Sequence, residues 1–495
     1  MPRPSFSSWR YSSALRSRDQ AGRTARKPGL GPLAGLLATT SALLQLLTRP
    51  VLGLADNGDY KRLVSPLHLV ARLPPGQAPK QYLVLRYVPG VSGEQQYRST
   101  ELVFARLVHR VIIGLGLGPG MDVRALGVAH AVLLGVAVWL VVRALPGPLA
   151  PRAVTAVLLI VVVTDTRFVV YLNSFFTEPM SSLALLFLVA AVLHAWRAPT
   201  VSPWALVAAS VAGLALVLDK SQHAPLALPI VAVLLARRCR WPRSGRWIGR
   251  LLPAVASVVL VVSAVGYVRS QPAHLDESNR YNAVFVEVLG HSANPAADLR
   301  SLGLDPRLVR YAGRPIYLPG NATKDPAFGD FFDRVTTRRI AVFYLEHPGR
   351  GLALAHRGAT ASMELIPAGV SPQLGTETRA DSAEPVYDAC KLCLFSTVSR
   401  GLRGASALLM PALWLAAAVT AWAVRRRPDR STDGIAAVLL LLLSVAATAM
   451  LVALLGEGEF EIVKHLYLGS FGNALLAVFV VHAAGVLLAE RLSRQ

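Results

Sequence analysis

Charge is what this chain has least of. Only 16% of its 495 residues are charged, and 29 Asp and Glu stand against 51 Lys and Arg. An ordinary soluble domain carries about 25% charged residues, so a wholly water-facing surface is excluded. Cysteine is nearly absent, and the one Cys-x-x-Cys pair among three cysteines is only half of a four-ligand zinc site. Glycine-rich phosphate loops, HExxH, GxSxG and the Rossmann fingerprint are all missing. Nucleotide-driven pumping and classical hydrolase chemistry lose most of their support. No internal repeat of the kind that marks secondary transporters is visible.

What is present in excess is apolar length. Hydrophobic residues make up 53% of the chain, and the mean hydropathy is +0.45. Windows suited to hydrocarbon lie near 31–54, 125–142, 153–164, 179–196, 203–218, 224–236, 251–267, 404–424, 434–456 and 470–489. The fold class expected is therefore an all-α polytopic membrane protein with about ten transmembrane helices. The windows at 153–164, 203–218 and 224–236 are short of the usual ~20 residues, so each is a flank-extended helix or half of a re-entrant pair.

Orientation follows from arginine. With the N-terminus inside, Arg3 to Lys27, Arg143, Arg152, Arg197, Arg237 to Arg250, Arg425 to Arg430, Arg491 and Arg494 all fall on the cytoplasmic side. Both termini are expected in the cytoplasm of a plasma-membrane protein. The net charge of +22 is then mostly topology, facing membrane lipid headgroups rather than nucleic acid. The expected organisation is a disordered basic tail over 1–30, an N-terminal transmembrane core over 31–267 with a first outer loop at 55–124, a mostly helical extracytoplasmic loop domain at 268–403, C-terminal transmembrane helices over 404–489, and a tail from 490. Cys390 and Cys393 fall outside, where a disulfide clip is favoured over free thiols and over metal or redox chemistry.

Within the first outer loop, Glu101 to Ile113 has apolar residues at helical spacing with Arg106 and Arg110 on a polar side. It is an interfacial helix or one packed on other spans. In the second loop, Phe331 to Leu345 reads as one amphipathic helix stopped at His347-Pro348-Gly349, its Arg334, Arg338 and Arg339 facing a phosphate or water.

Four outward elements hold the unusual charges: Asp56 and Asp59; Asp165 and Arg167 through Glu178; Asp219-Lys220-Ser221-Gln222-His223; and Glu457, Glu459 and Glu461 through Lys464-His465. Each lies at the outer end of a different span, so folding can gather acids and bases around one cavity. Ionisable groups in such places carry a functional hypothesis by default. Loop capping is the plain alternative for each taken singly.

Five stretches resemble the GT-C class of polytopic glycosyltransferases. They are Asn57-Gly58-Asp59-Tyr60, Tyr171 to Glu178, Lys220-Ser221-Gln222, Tyr281-Asn282-Ala283-Val284-Phe285, and Phe460 to Leu468 around Lys464-His465. Within the class the chain is most similar to bacterial cell-envelope glycan hexose transferases, distantly akin to protein O-mannosyltransferases.

The resemblance implies an inverting hexosyltransferase that takes sugar from a polyprenyl-phosphate donor and gives it to an envelope glycan, lipid or protein acceptor. It puts the general base in the first outer loop, at Asp59 with Asp56 as second choice. The protein O-mannosyltransferase pattern has two adjacent acids, whereas these are three positions apart. Arg62, Arg167, Lys220, Lys464 and His465 are candidates for the leaving phosphate, and Asp165 and Glu178 for orienting acceptor or sugar hydroxyls. Tyr171, Asn173, Gln222, Tyr281 and Asn282 complete the expected substrate-binding set through the motifs that hold them.

No metal or other cofactor is expected, since lysine and arginine neutralise a monophosphate. Asp56, Asp59, Asp165 and Glu178 nevertheless have the oxygen ligands a divalent cation takes. A lipid-linked glycan flippase and a non-catalytic envelope assembly protein stay open as alternatives.

Overall fold

The computed structural model describes residues 29–49, 51–73, 83–91, 93, 97–239, 248–364, 390–427, 432–493 and 495. The expected tail before residue 29, Arg240 to Arg246, Arg430 and Arg494 lie outside them.

Every apolar window is helical, as expected of an all-α polytopic membrane protein, though not every window is a full span. Among the described residues, seven helices are long and apolar enough to cross a membrane, or eight if the bent pair Leu149–Val163 and Thr166–Asn173, angled by 53°, is one span. Pro203–Val217 has 15 residues, and at ~1.5 Å per residue it falls well short of ~30 Å of hydrocarbon. The short helices stop where polar residues enter. Leu149–Val163 gives way to Asp165, and Pro203–Val217 to Asp219-Lys220.

The first helix, Leu30–Leu47, packs on Val123–Ala144 through glycine. A Cβ added at Gly35 would sit 2.6 Å from the Gly135 carbonyl oxygen, and one at Gly135 would sit 2.7 Å from that of Gly35. Such backbone approach is what small residues contribute in lipid, where no hydrophobic force joins helices. Glu178–Ala195 runs through the middle of the bundle with 89% of its residues buried, as an all-round apolar helix should.

The first outer loop also contains a three-stranded antiparallel sheet, Leu69–Ala71, Arg86–Pro89 and Met121–Asp122, which the pattern did not announce. Its helix, Thr100–Gly114, is packed on one side and open on the other. Glu101, Leu102 and Ala105 are buried, with Glu101 held 3.1 Å from His130, while Val103, Leu107 and Val111 are exposed.

Beyond the membrane part, Tyr281, Phe285, Phe328, Phe331 and Phe343 build a second core over the end of Asp433–Glu457. The expected single helix over 331–345 is two, Phe331–Arg334 and Thr337–Glu346, because Val335 is extended and the Thr336 hydroxyl caps the second by accepting from the Arg339 N–H. Arg334 and Arg339 donate to the Gly303 and Ser301 carbonyls. Cys390 and Cys393 are disulfide-bonded, and Lys391 between them donates to the Thr48 carbonyl at 2.8 Å, closing the end of the first helix.

Candidate functional site

The turn after the first helix is built by its own side chains. The Asp56 carboxylate accepts from the N–H groups of Gly58 and Tyr60 at 2.7 and 3.1 Å, and Asn57 accepts from the Asp59 N–H at 3.2 Å. Gly58 has φ +109°, a conformation that costs glycine little. Tyr60 anchors the turn between Phe175 and Phe176 and donates to the Leu54 carbonyl at 2.6 Å. Asp56 is therefore engaged in shaping the loop, and Asp59 is the acid of this turn that lines the cleft.

Asp59 meets the other end of the chain. Its carboxylate pairs with Lys464, 405 positions away, and with Arg62 at 2.9 Å. Lys464 also pairs with Glu461 at 3.1 Å, and Glu461 accepts from the Asn57 amide at 2.9 Å, so the two loops are clamped at two points. Glu461 holds φ +47°, a left-handed backbone that costs a non-glycine residue of order 1 kcal/mol and persists only where its surroundings enforce it.

Burial acts to raise the Asp59 carboxyl, but Lys464 and Arg62 outweigh it and hold the group well below the usual carboxylate range. Burial likewise disfavours the charged Lys464, and Asp59 and Glu461 reverse that, leaving the ammonium held above its ordinary value.

A cleft of about 320 Å³ opens over this pair, lined by Asn57, Asp59, Arg62, His274, Asn279, Tyr317, Glu457, Phe460, Glu461 and His465 among others. A narrow recess below it shares Asp59 and Arg62 and adds Phe176, Glu178, Lys220 and Lys464. Lys220 and Glu178 pair at 3.1 Å and are both nearly inaccessible. His465 pairs with Glu457, and its carbonyl accepts from the Gln222 amide at 3.2 Å. Arg62, Lys220 and Lys464 are thus matched by Asp59, Glu178 and Glu461, and His465 by Glu457, while Lys61 in the cleft lining has no ion pair among the described residues.

Other expected site residues lie elsewhere. Asp165 is buried, caps the following turn and accepts from the backbone and hydroxyl of Ser396. Arg167 is buried and donates to the Ser362 carbonyl at 2.8 Å. Tyr171 is in the main core against Tyr467. Tyr281 and Asn282 belong to the outer core, accepting from the Ala322 and Ile316 N–H groups. Asn173 donates to the Leu46 and Leu52 carbonyls at 3.0 and 2.8 Å.

Asn173→Ala is accordingly expected to lower thermal stability by about 1–3 kcal/mol, the cost of leaving buried carbonyls unpaired. Unfolding of the variant and the wild type in detergent would check this.

Tyr317, Asn279 and His274 were not anticipated, and Asn57 and Phe460 were visible only as members of their motifs. For Glu457 and Glu461 the acidic run was visible, but their partners were not. Among the described residues, Glu287, His291 and Glu459 are the group spaced to hold a metal ion, with their ligand atoms within 4.8 Å of one another. Arg357 already pairs with Glu287 and approaches Glu459 at 3.7 Å, so the charges are met by protein. Asp56, Asp59, Asp165 and Glu178 do not converge on one point.

A family model described as the YfdI N-terminal transmembrane domain matches residues 20–494. No curated protein matches the chain. Among solved structures, the crystal structure of the Archaeoglobus fulgidus oligosaccharyltransferase tethered with an acceptor peptide containing the NVT sequon is similar at 13% identity and a TM-score of 0.38. That match covers 93% of this chain and 49% of the other, so the chain spans about half the length of that solved chain. A likeness this loose carries no argument about chemistry.

Proposed function

The chain belongs to the YfdI N-terminal transmembrane domain family, and from that premise we propose that it is an integral-membrane glycosyltransferase of the GT-C class. It moves a hexose from a polyprenyl-phosphate donor to an envelope glycan, lipid or protein acceptor at the outer face of the plasma membrane. The observation that carries this reading is the meeting of Asp59 with Lys464 and Arg62 at the floor of a cleft, beside the Lys220–Glu178 pair.

In this mechanism the acceptor hydroxyl attacks the anomeric carbon and its proton passes to the Asp59 carboxylate. The bond from that carbon to the phosphate oxygen breaks, and its electron pair leaves with the polyprenyl phosphate. Inversion follows from the single displacement. Lys464, Arg62 and Lys220 meet the charge developing on the leaving phosphate, a role suited to cations already fixed in place by their partners.

The same cations couple binding to basicity. While Lys464 and Arg62 hold Asp59, its pKa is too low for an effective base. A donor phosphate that attracts them releases the carboxylate as the substrate arrives.

The test is transfer of label from polyprenyl-phosphate hexoses, by the purified protein in liposomes, to an extract of envelope glycans and lipids. Transfer from at least one donor is expected; a wild-type protein inert with every donor overturns the reading.

A second check comes from pH. In Lys464→Met the cation that most lowers Asp59 is gone while the burial that raises it stays. The acid limb of the kcat/KM profile should therefore move up by about one unit or more. An unmoved limb would show that Asp59 is not the titrating base.

A further inference from the structure

At the opposite end of the Glu178–Ala195 helix from Glu178, a second groove of about 650 Å³ opens among Val123–Ala144, Glu178–Ala195 and Pro203–Val217. It has no part in the cleft described above. Ala205, Ala208, Ala212 and Ala215 follow one another at intervals of three and four residues, which places them on one helix face, and their short side chains hollow one wall. At the mouth stand Arg143, Arg197 and Trp204, the last 83% exposed.

The two arginines are held together, not scattered. Arg197 donates to the Arg143 carbonyl at 2.6 Å, and both side chains are exposed. Among the described residues neither has a carboxylate partner; the neighbouring cytoplasmic-side arginines Arg237 and Arg427 do, in Asp433 and Glu490. Burial, Arg152 and Arg143 together push the Arg197 guanidinium below its ordinary value. Cations gathered without an acid are unfavourable until an anion joins them.

Length identifies the rest of the ligand. From Trp204 to Ala215 the lining helix rises roughly 16 Å at ~1.5 Å per residue, which is about half of the ~30 Å hydrocarbon layer. That is the depth of one leaflet, the reach of a single acyl chain.

We propose that this groove binds an anionic glycerophospholipid of the leaflet opposite the cleft, its phosphate between Arg143 and Arg197 and one acyl chain along the alanine face against Trp204. Basic pockets between transmembrane helices recognise phosphate headgroups in this way.

The experiment is fluorescence quenching of the full chain in mixed vesicles of phosphatidylcholine and phosphatidylglycerol, with bromine on the acyl chains of one lipid at a time. The component lost in Trp204→Phe is the Trp204 signal. It should be quenched at several-fold lower mole fraction by brominated phosphatidylglycerol than by brominated phosphatidylcholine. Arg143→Gln with Arg197→Gln should abolish that preference, and high salt should reduce it in the wild type, where no question of folding arises. Equal quenching by the two lipids in wild type, a preference that survives the double substitution in folded protein, or displacement of phosphatidylglycerol by equimolar polyprenyl phosphate would each overturn the proposal.

Discussion

Asp59→Asn is expected to reduce the proposed transfer by 10²-fold or more while the protein folds as before. General-base catalysis is worth about 10²–10⁴ in rate, and the amide cannot take the acceptor proton. The substitution conserves shape, and it leaves no cation stranded in a dry site. Lys464 keeps Glu461 at 3.1 Å, and Arg62 stays in a cleft open to water with Tyr97 beneath it. The effect belongs in kcat, with donor KM unchanged or lower, because Lys464 and Arg62 are freer to hold the phosphate.

Asp56→Asn is the matched control. An asparagine oxygen can still accept from the Gly58 and Tyr60 N–H groups that Asp56 now satisfies, so activity near that of wild type is expected. Steady-state transfer by both variants, alongside their melting curves, decides the matter. More than a tenth of wild-type kcat in folded Asp59→Asn would remove Asp59 as the base.

Gly135→Leu is expected to prevent assembly of the membrane core, with loss of most monodisperse protein on extraction. A Cβ there would lie 1.8 Å from the Thr39 hydroxyl and 2.7 Å from the Gly35 carbonyl oxygen. A threonine side chain can rotate away, but the opposing backbone cannot. The two helices must separate, at a cost of about 1–3 kcal/mol for overpacking alone, and more once the Thr39 hydrogen bond to the Ala131 carbonyl is lost.

Gly266→Ala supplies the contrast, because nothing lies within 4 Å of a Cβ added there. Alanine is the better helix former by about 1 kcal/mol, so this variant should extract as well as wild type. Equal yields of the Gly135 and Gly266 variants would show that the first helix does not depend on this contact.

Much of the architecture was legible locally. Each apolar window formed a helix, since burying an uninterrupted apolar stretch and pairing its own backbone polar groups is the same solution wherever the stretch occurs. The turn at Asn57-Gly58-Asp59 was legible for a similar reason. Asx bonds and a positive-φ glycine act within four residues.

The number of spans was less legible, because composition shows where a helix is apolar and not where a polar turn such as Asp219-Lys220 cuts it short. The burial of Tyr171 and Asn173 in the core was not legible for a related reason. Their motif neighbours Glu178 in sequence, but the chain turns between them, so one end supports the core and the other lines the recess.

By itself, then, the sequence determined the helical membrane class, the clustering of rare charges at helix ends and the geometry of one acidic turn. All of these follow from interactions between residues a few positions apart. Only the tertiary structure decided that Asn57 bonds Glu461 across 404 positions, that Lys464 and not another lysine neutralises Asp59, and that Asp165 and Arg167 are spent on buried contacts. Those partnerships depend on which helix ends become neighbours when the bundle packs, and that order leaves no local pattern in the chain.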